Sequence, residues 1–147
     1  MGTTALGDLP SGAIHAPNIT HASAATDAAS ATFAAIGANV WRAPQAITIV
    51  NAYHEPTGAD QPAQDATAYR LYSLIDGSTD GLGTRVLASG SYTASQGSNT
   101  RKELTLIASP TVAAGNVVYA RYGATVGATH AGTVVRAGHF SHNYRPI

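Results

Sequence analysis

From residue 46 onward, apolar side chains recur at every second position in short runs. "AITIVNAY" (46–53) alternates around β-branched residues, and "TAYRLYSLI" (67–75) sets Tyr69, Leu71, Ser73 and Ile75 against Arg70, Tyr72 and Leu74. A period of two puts successive side chains on opposite faces of an extended chain, so both runs predict strands. "TRVLASGSYT" (84–93), "RKELTLIA" (101–108), "VVYARYG" (117–123), "GTVVRAG" (132–138) and "HFSHNYR" (139–145) continue the pattern. "ATFAAIGANVWRAP" (31–44) precedes them, with Pro44 suited to a strand end. The stretches between, "HEPTGADQPAQDA" (54–66), "SQGSN" (95–99) and "SPTVAAGN" (109–116), read as loops and turns. No strong amphipathic helix interrupts the series. Seven or eight short strands with Gly-, Pro- and Asn-rich punctuation predict an all-β chain, an antiparallel β-sandwich or barrel, with a β-sandwich of jelly-roll-like type preferred.

The N-terminal stretch is different. "HASAATDAAS" (21–30) has no large side chain to bury, and its Ser and Thr weaken the helix preference of its alanines. Residues 1–35 therefore read as an extended N-terminal arm, ordered where it lies against something, and residues 36–147 as the sandwich. A short helix near 21–30 is the alternative.

Composition narrows what such a chain does. At 147 residues it is long enough for one buried core and short for two. Formal net charge is zero and only 11% of residues are charged, against about 25% in an ordinary globular protein. Seven scattered arginines and Lys102 make no concentrated basic surface, so nucleic acid is disfavoured. Charge near zero favours association: either Thr, Ser, Asn and Gln carry the polar surface of a soluble protein, or much of that surface is covered by other subunits. Cysteine is absent, which removes disulfides, thiolate nucleophiles and Cys-based zinc sites. The N-terminus lacks the cationic and apolar regions of a signal peptide. No run approaches the roughly 20 apolar residues needed to span a bilayer, and no membrane partner is expected.

One stretch invites a metal. In "DGSTDGLGT" (76–84), Asp76, Ser78 and Asp80 put oxygens at alternate positions and Gly81 follows where a calcium loop turns. The bidentate acid required at the twelfth position is Leu87, however, and the flanks are strands rather than helices. Asp-Gly occurs twice, at 76–77 and 80–81, and is itself a strong hairpin signal. The expectation is a glycine-rich hairpin in which Asp76 and Asp80 bond local backbone amides.

The histidines give no catalytic set. His139 and His142 form H-x-x-H, but three residues apart in a strand they face opposite ways, and a surface or interface role is expected. His15 and His21 fall in the arm, and His54 with Glu55 in a proline-rich loop. No nucleophile elbow occurs, so neither an enzyme nor a cofactor is expected. Seven tyrosines and Trp41 leave room for a carbohydrate platform, although half of them belong to the core by parity.

"NVWRAPQAITIVNAYHEPTGAD" (39–60), "YRLYSLIDGSTDGLGT" (69–84) and "SPTVAAGNVVYARYG" (109–123) together resemble small β-rich virion proteins of tailed bacteriophages. Capsid decoration (cement) proteins are the nearest in pattern: an extended arm, an A-P strand entering a core strand, a Gly-rich hairpin and a late turn into a strand. The resemblance implies a protein of the virion, assembled in the host cytoplasm and placed on the capsid surface. Its partners would be the major capsid protein and copies of itself, as a trimer. Contacts would come from the arm, with Ile14, Ile19, His21 and Phe33 as candidates and Trp41 just beyond it. Deleting residues 1–29 would then leave a folded domain that binds capsids poorly. The alternatives are a glycan- or host-surface-binding module of a head or tail fibre, and a tail tube or completion component.

Overall fold

A computed structural model describes residues 12–21, 24–25, 40–57, 70–124 and 134–147. Among these no helix occurs. The strands in chain order are β1 (Ile14–His15), β2 (Ile19–His21), β3 (Ala24–Ala25), β4 (Trp41–Arg42), β5 (Ile47–Pro56), β6 (Arg70–Asp76), β7 (Arg85–Tyr92), β8 (Lys102–Glu103), β9 (Thr105–Leu106), β10 (Thr111–Val112), β11 (Val117–Ala124), β12 (Val134–Val135) and β13 (Gly138–Pro146). All pairings are antiparallel.

Two sheets face each other as a β-sandwich. In the first, β13 lies between β5 and the N-terminal strands β1 and β2, while β10 and β8 pair with the far side of β5. The second runs β4-β11-β6-β7-β9. β3 and β12 form a separate two-stranded ribbon. Ile47, Ile49, Ala52, Phe140 and Tyr144 from the first sheet meet Tyr72, Leu74, Leu87, Val118 and Tyr122 from the second, all buried in one cluster. Each such side chain gives about 25 cal/mol per Å² of apolar area removed from water.

Two bulges decide which side chains point inward. Asn143 is opposite Asn51 and Tyr144 is opposite Ile49, so Val50 is an extra residue in β5. Inward parity therefore switches from Ile47 and Ile49 to Ala52 and His54. On β7, Leu87 is the extra residue between Val86 and Ala88, and both Leu87 and Ala88 reach the core.

The structure revises several local expectations. β5 runs on through His54 and Glu55 to Pro56 instead of ending before a loop. The run 101–108 is split: β8 pairs with β5 in one sheet, β9 pairs with β7 in the other, and buried Leu104 is the crossing point. Thr111–Val112, expected in a loop, forms β10. Within the segment where a helix was the alternative, Ala24–Ala25 is a strand, and the rest of 21–30 beyond His21 lies outside the described residues.

Candidate functional site

The 76–84 loop is tied into the fold from every side. The Asp76 carboxylate accepts from the Ser78 amide at 3.0 Å, from Asn116 Nδ2 at 2.9 Å and from Arg85 Nη1 at 3.3 Å. Asp80 accepts from the Leu82 amide at 3.0 Å. These are the local backbone bonds expected of both aspartates, and they satisfy amides the turn would otherwise leave open. Arg85 also donates to the Thr111 and Ser109 carbonyls at 2.6 and 2.7 Å, and Tyr119 donates to the Gly83 carbonyl at 2.9 Å. Gly83 is a true requirement: a Cβ there would lie 2.7 Å from the Gly77 carbonyl carbon and 2.9 Å from the Asp76 oxygen. Ser78 has φ of 60° and is exposed. Among the described residues no three His, Asp or Glu side chains converge on a metal position.

A resident calcium ion would add about 2.7 kcal/mol of stability at a hundredfold excess over Kd. The expected result is no change in Tm between millimolar calcium and EDTA. Asp76→Ala, by contrast, removes the acceptor of three part-buried donors, of which Arg85 keeps two carbonyls, and is expected to cost about 1–3 kcal/mol in a denaturant titration. A calcium-dependent Tm would overturn this reading of the loop.

A second polar constellation sits inside the sandwich, at the end where β2, β5 and β11 finish and β6 and β13 begin. His21 Nε2 lies 2.9 Å from His54 Nε2, and both rings are buried. His54 stacks on Tyr72 at 3.7 Å between centroids and 13° between planes. His21 packs on Tyr122 at 4.1 Å, and Phe140 closes the box at 5.0–5.6 Å from the two imidazoles. Two nitrogens ligating one zinc at about 2.1 Å and a tetrahedral angle stand about 3.4 Å apart. The shorter separation is that of an N–H···N hydrogen bond.

Burial, followed by the neighbouring His21, holds the His54 pKa well below the usual histidine range. Gln96 acts the other way, and its Nε2 donates to the His54 carbonyl at 3.2 Å and the Thr100 carbonyl at 2.9 Å. Arg70 is fully buried beside this cluster and donates to the Ala94 carbonyl. Burial also drives the Tyr72 hydroxyl upward.

His142 stands apart in the same core. Its ring meets Trp41 edge-on at 4.9 Å, and neither ring nitrogen finds a hydrogen-bond partner among the described residues. Burial pushes its pKa down to about 3. His139 faces the opposite side of β13, half-buried, across from Glu55. The two therefore diverge as strand parity requires, but the surface or interface role expected of His142 gives way to full burial.

The outer face of the first sheet carries a hydrogen-bonded polar row. His15 Nδ1 is 2.7 Å from Asn143 Oδ1, and Asn143 Nδ2 donates to Asn51 Oδ1 at 2.6 Å. Tyr53 lies beside this row with the Arg101 guanidinium 5.5 Å over its ring. Arg101 is also 3.5 Å from Glu55.

The candidate contact residues separate. Ile19 and His21 are buried in this chain's own core, with only 0% and 4% of their surfaces exposed, while Ile14 on β1 is 44% exposed. Trp41 is half-buried against His142 and Tyr144. Phe33 lies outside the described residues. Sequence reasoning missed His54 and His142 as core residues. Strand parity was the available signal, and the bulge at Val50 hid it for His54. No protein-family model, curated protein or solved structure matches the chain.

Proposed function

We propose that this chain is a non-enzymatic structural protein of a phage virion, decorating and stabilising the capsid surface through contacts between subunits. The observation that carries this reading is Leu82, 80% exposed at the tip of a loop anchored by Asp76, Asp80, Arg85 and Tyr119. An apolar knob on a rigid support presents a contact at little ordering cost. Ile14, Val40 and Ile147 are further exposed apolar side chains on a surface poor in charge. Repetition of modest contacts over a lattice converts weak single-site affinity into avidity.

The test is quantitative mass spectrometry of purified virions of the encoding phage, following the tryptic peptide 86–101 against a major shell peptide. A copy number comparable to the shell protein supports decoration. A few copies per particle support a fibre or tail component, and absence from particles overturns the virion reading. Leu82→Asp is expected to lower occupancy severalfold while shifting stability by no more than about 0.5 kcal/mol.

A glycan- or host-surface-binding module is the second reading, favoured by half-buried Tyr53 on the outer face of the first sheet. Tyr53→Ala would then abolish saturable binding to host cell-wall polysaccharide.

A further inference from the structure

The loop between β6 and β7 holds the dipeptide Asp-Gly twice, and the fold treats the two copies oppositely. In this dipeptide the backbone can attack its own side chain: glycine has no Cβ to shield the peptide nitrogen, and the ring that closes has five members. In both copies the carboxylate accepts from the amide two residues on, at 3.0 Å, Ser78 for Asp76 and Leu82 for Asp80. Such a turn folds the side chain back over the intervening glycine amide. The local geometry is therefore shared, and the surroundings separate the two.

Asp76–Gly77 is locked. Asp76 is buried, and its carboxylate also accepts from Asn116 and Arg85. The Gly77 amide donates to the Val117 carbonyl at 2.7 Å, so the attacking nitrogen is engaged. Asp80–Gly81 is open. Asp80 is exposed and accepts only from the Leu82 amide among the described residues, and the Gly81 amide donates to none of them. Nothing lies within 4 Å of where a Gly81 Cβ would stand, so this peptide can swing without displacing a neighbour. The residues on either side are held. Arg42 donates to the Thr79 carbonyl at 3.2 Å, and the Gly83 amide donates to the Gly77 carbonyl at 2.7 Å.

We propose that Asp80–Gly81 is a site of spontaneous covalent modification, at which the aspartate becomes isoaspartate through a succinimide. The Gly81 nitrogen attacks the Asp80 Cγ. An N–Cγ bond forms, and the hydroxyl of the protonated carboxyl leaves with the nitrogen's proton as water. Water then adds to one of the two ring carbonyls. Breaking the N–Cγ bond restores Asp80. Breaking the bond from nitrogen to the backbone carbonyl carbon leaves the chain running through Cβ and Cγ, with the former backbone carbonyl as a free carboxylate. No oxidant or cofactor takes part, and mass and charge are unchanged. The main chain between Thr79 and Gly83 is then longer by one carbon–carbon bond, about 1.5 Å. With both ends held, the tip takes up the added length and exposed Leu82 is carried out of place. The chemistry does not depend on the capsid reading; under that reading it gives the Leu82 contact a finite lifetime before assembly.

The test ages the full-length protein at neutral pH beside a synthetic peptide of residues 71–85, until the peptide has isomerised at both aspartates. Trypsin releases the same segment 71–85 from the protein, with both aspartates on it. Mass spectrometry with electron-transfer fragmentation then tells isoaspartate at 76 from isoaspartate at 80. In the folded protein isoaspartate is expected at Asp80 at least about tenfold faster than at Asp76, which reacts only after local opening. Asp80→Glu, which would have to close a six-membered ring, is expected to leave residue 80 unmodified. Should that variant fail to fold, the two aspartates within one wild-type peptide still decide. Equal rates at 76 and 80 in the folded protein overturn the proposal, as does an unmodified Asp80 once the free peptide has reacted.

Discussion

Acidification from pH 7 to 4.5 is expected to remove several kcal/mol of folding stability, and His142→Phe to return a large part of it. His142 is fully buried and its pKa is lowered to about 3 by burial, with His15 adding a smaller push in the same direction. In the unfolded chain the same ring titrates near 6.5. A base whose folded pKa is depressed leaves stability intact above the unfolded value. It removes stability as pH falls from about 6.5 toward about 3, because the unfolded state binds the extra proton. At pH 4.5 this one group costs about 2–3 kcal/mol. His54 and His139 are shifted the same way, principally by burial, so their contributions add to the same side. Against a total of about 5–15 kcal/mol, the sum is large.

Phenylalanine at 142 keeps an aromatic edge for Trp41 and removes two nitrogens that have no partner among the described residues. It is expected to gain about 1–3 kcal/mol at pH 7 and to make the acid limb shallower by one proton. Urea titrations from pH 7.5 to 4, read by the fluorescence of Trp41, the single tryptophan, check both numbers. A parallel pair of pH profiles for wild type and variant would place the acid sensitivity elsewhere.

Removing residues 1–21 is expected to destabilise the sandwich severely. Ala16 and Ile19 have 0% of their surface exposed and His21 has 4%, and all three sit against β13 and the core. The Ala16 amide also bonds the His142 carbonyl at 3.0 Å. Truncating Ile19 alone to alanine is expected to cost about 2–5 kcal/mol. Loss of the whole segment adds the exposed β13 edge and the uncovered faces of Tyr122 and Phe140. The expectation that a 1–29 deletion leaves a sound domain changes accordingly. Chemical denaturation of residues 22–147 against the full chain measures the effect, and equal midpoints would mean the segment contributes nothing to the core. Capsid-binding experiments on the arm therefore need substitutions at exposed positions such as Ile14 rather than truncation.

Sequence alone determined the fold class. Alternation at period two through 46–53, 67–75 and 117–123 requires strands, and glycine- and proline-rich breaks require that they be short and antiparallel. It also determined the character of the 76–84 turn. Two Asp-Gly pairs between strands, without the twelfth-position acid, specify a hairpin in which Asp76 and Asp80 bind their own backbone, and both do. The divergence of His139 and His142 followed from parity as well.

Tertiary structure decided the rest, because the rest depends on which face is covered and by what. Period two says that Tyr72 and Ile75 point opposite ways; it does not say that both faces of β6 are buried, as they are. A single inserted residue, Val50, reversed the inward set on β5 and carried His54 into the core, since a bulge resets parity without leaving a hydrophobic signature. The joining of His21 to His54 across 33 residues depends on β2 and β5 both flanking β13, a long-range pairing with no local sequence cost or cue. Local pattern is set by backbone geometry and is written in neighbouring residues. Burial, pKa and partnership are set by distant surfaces meeting, and for this protein they turned alanine, isoleucine and histidine of an apparently loose arm into part of the core.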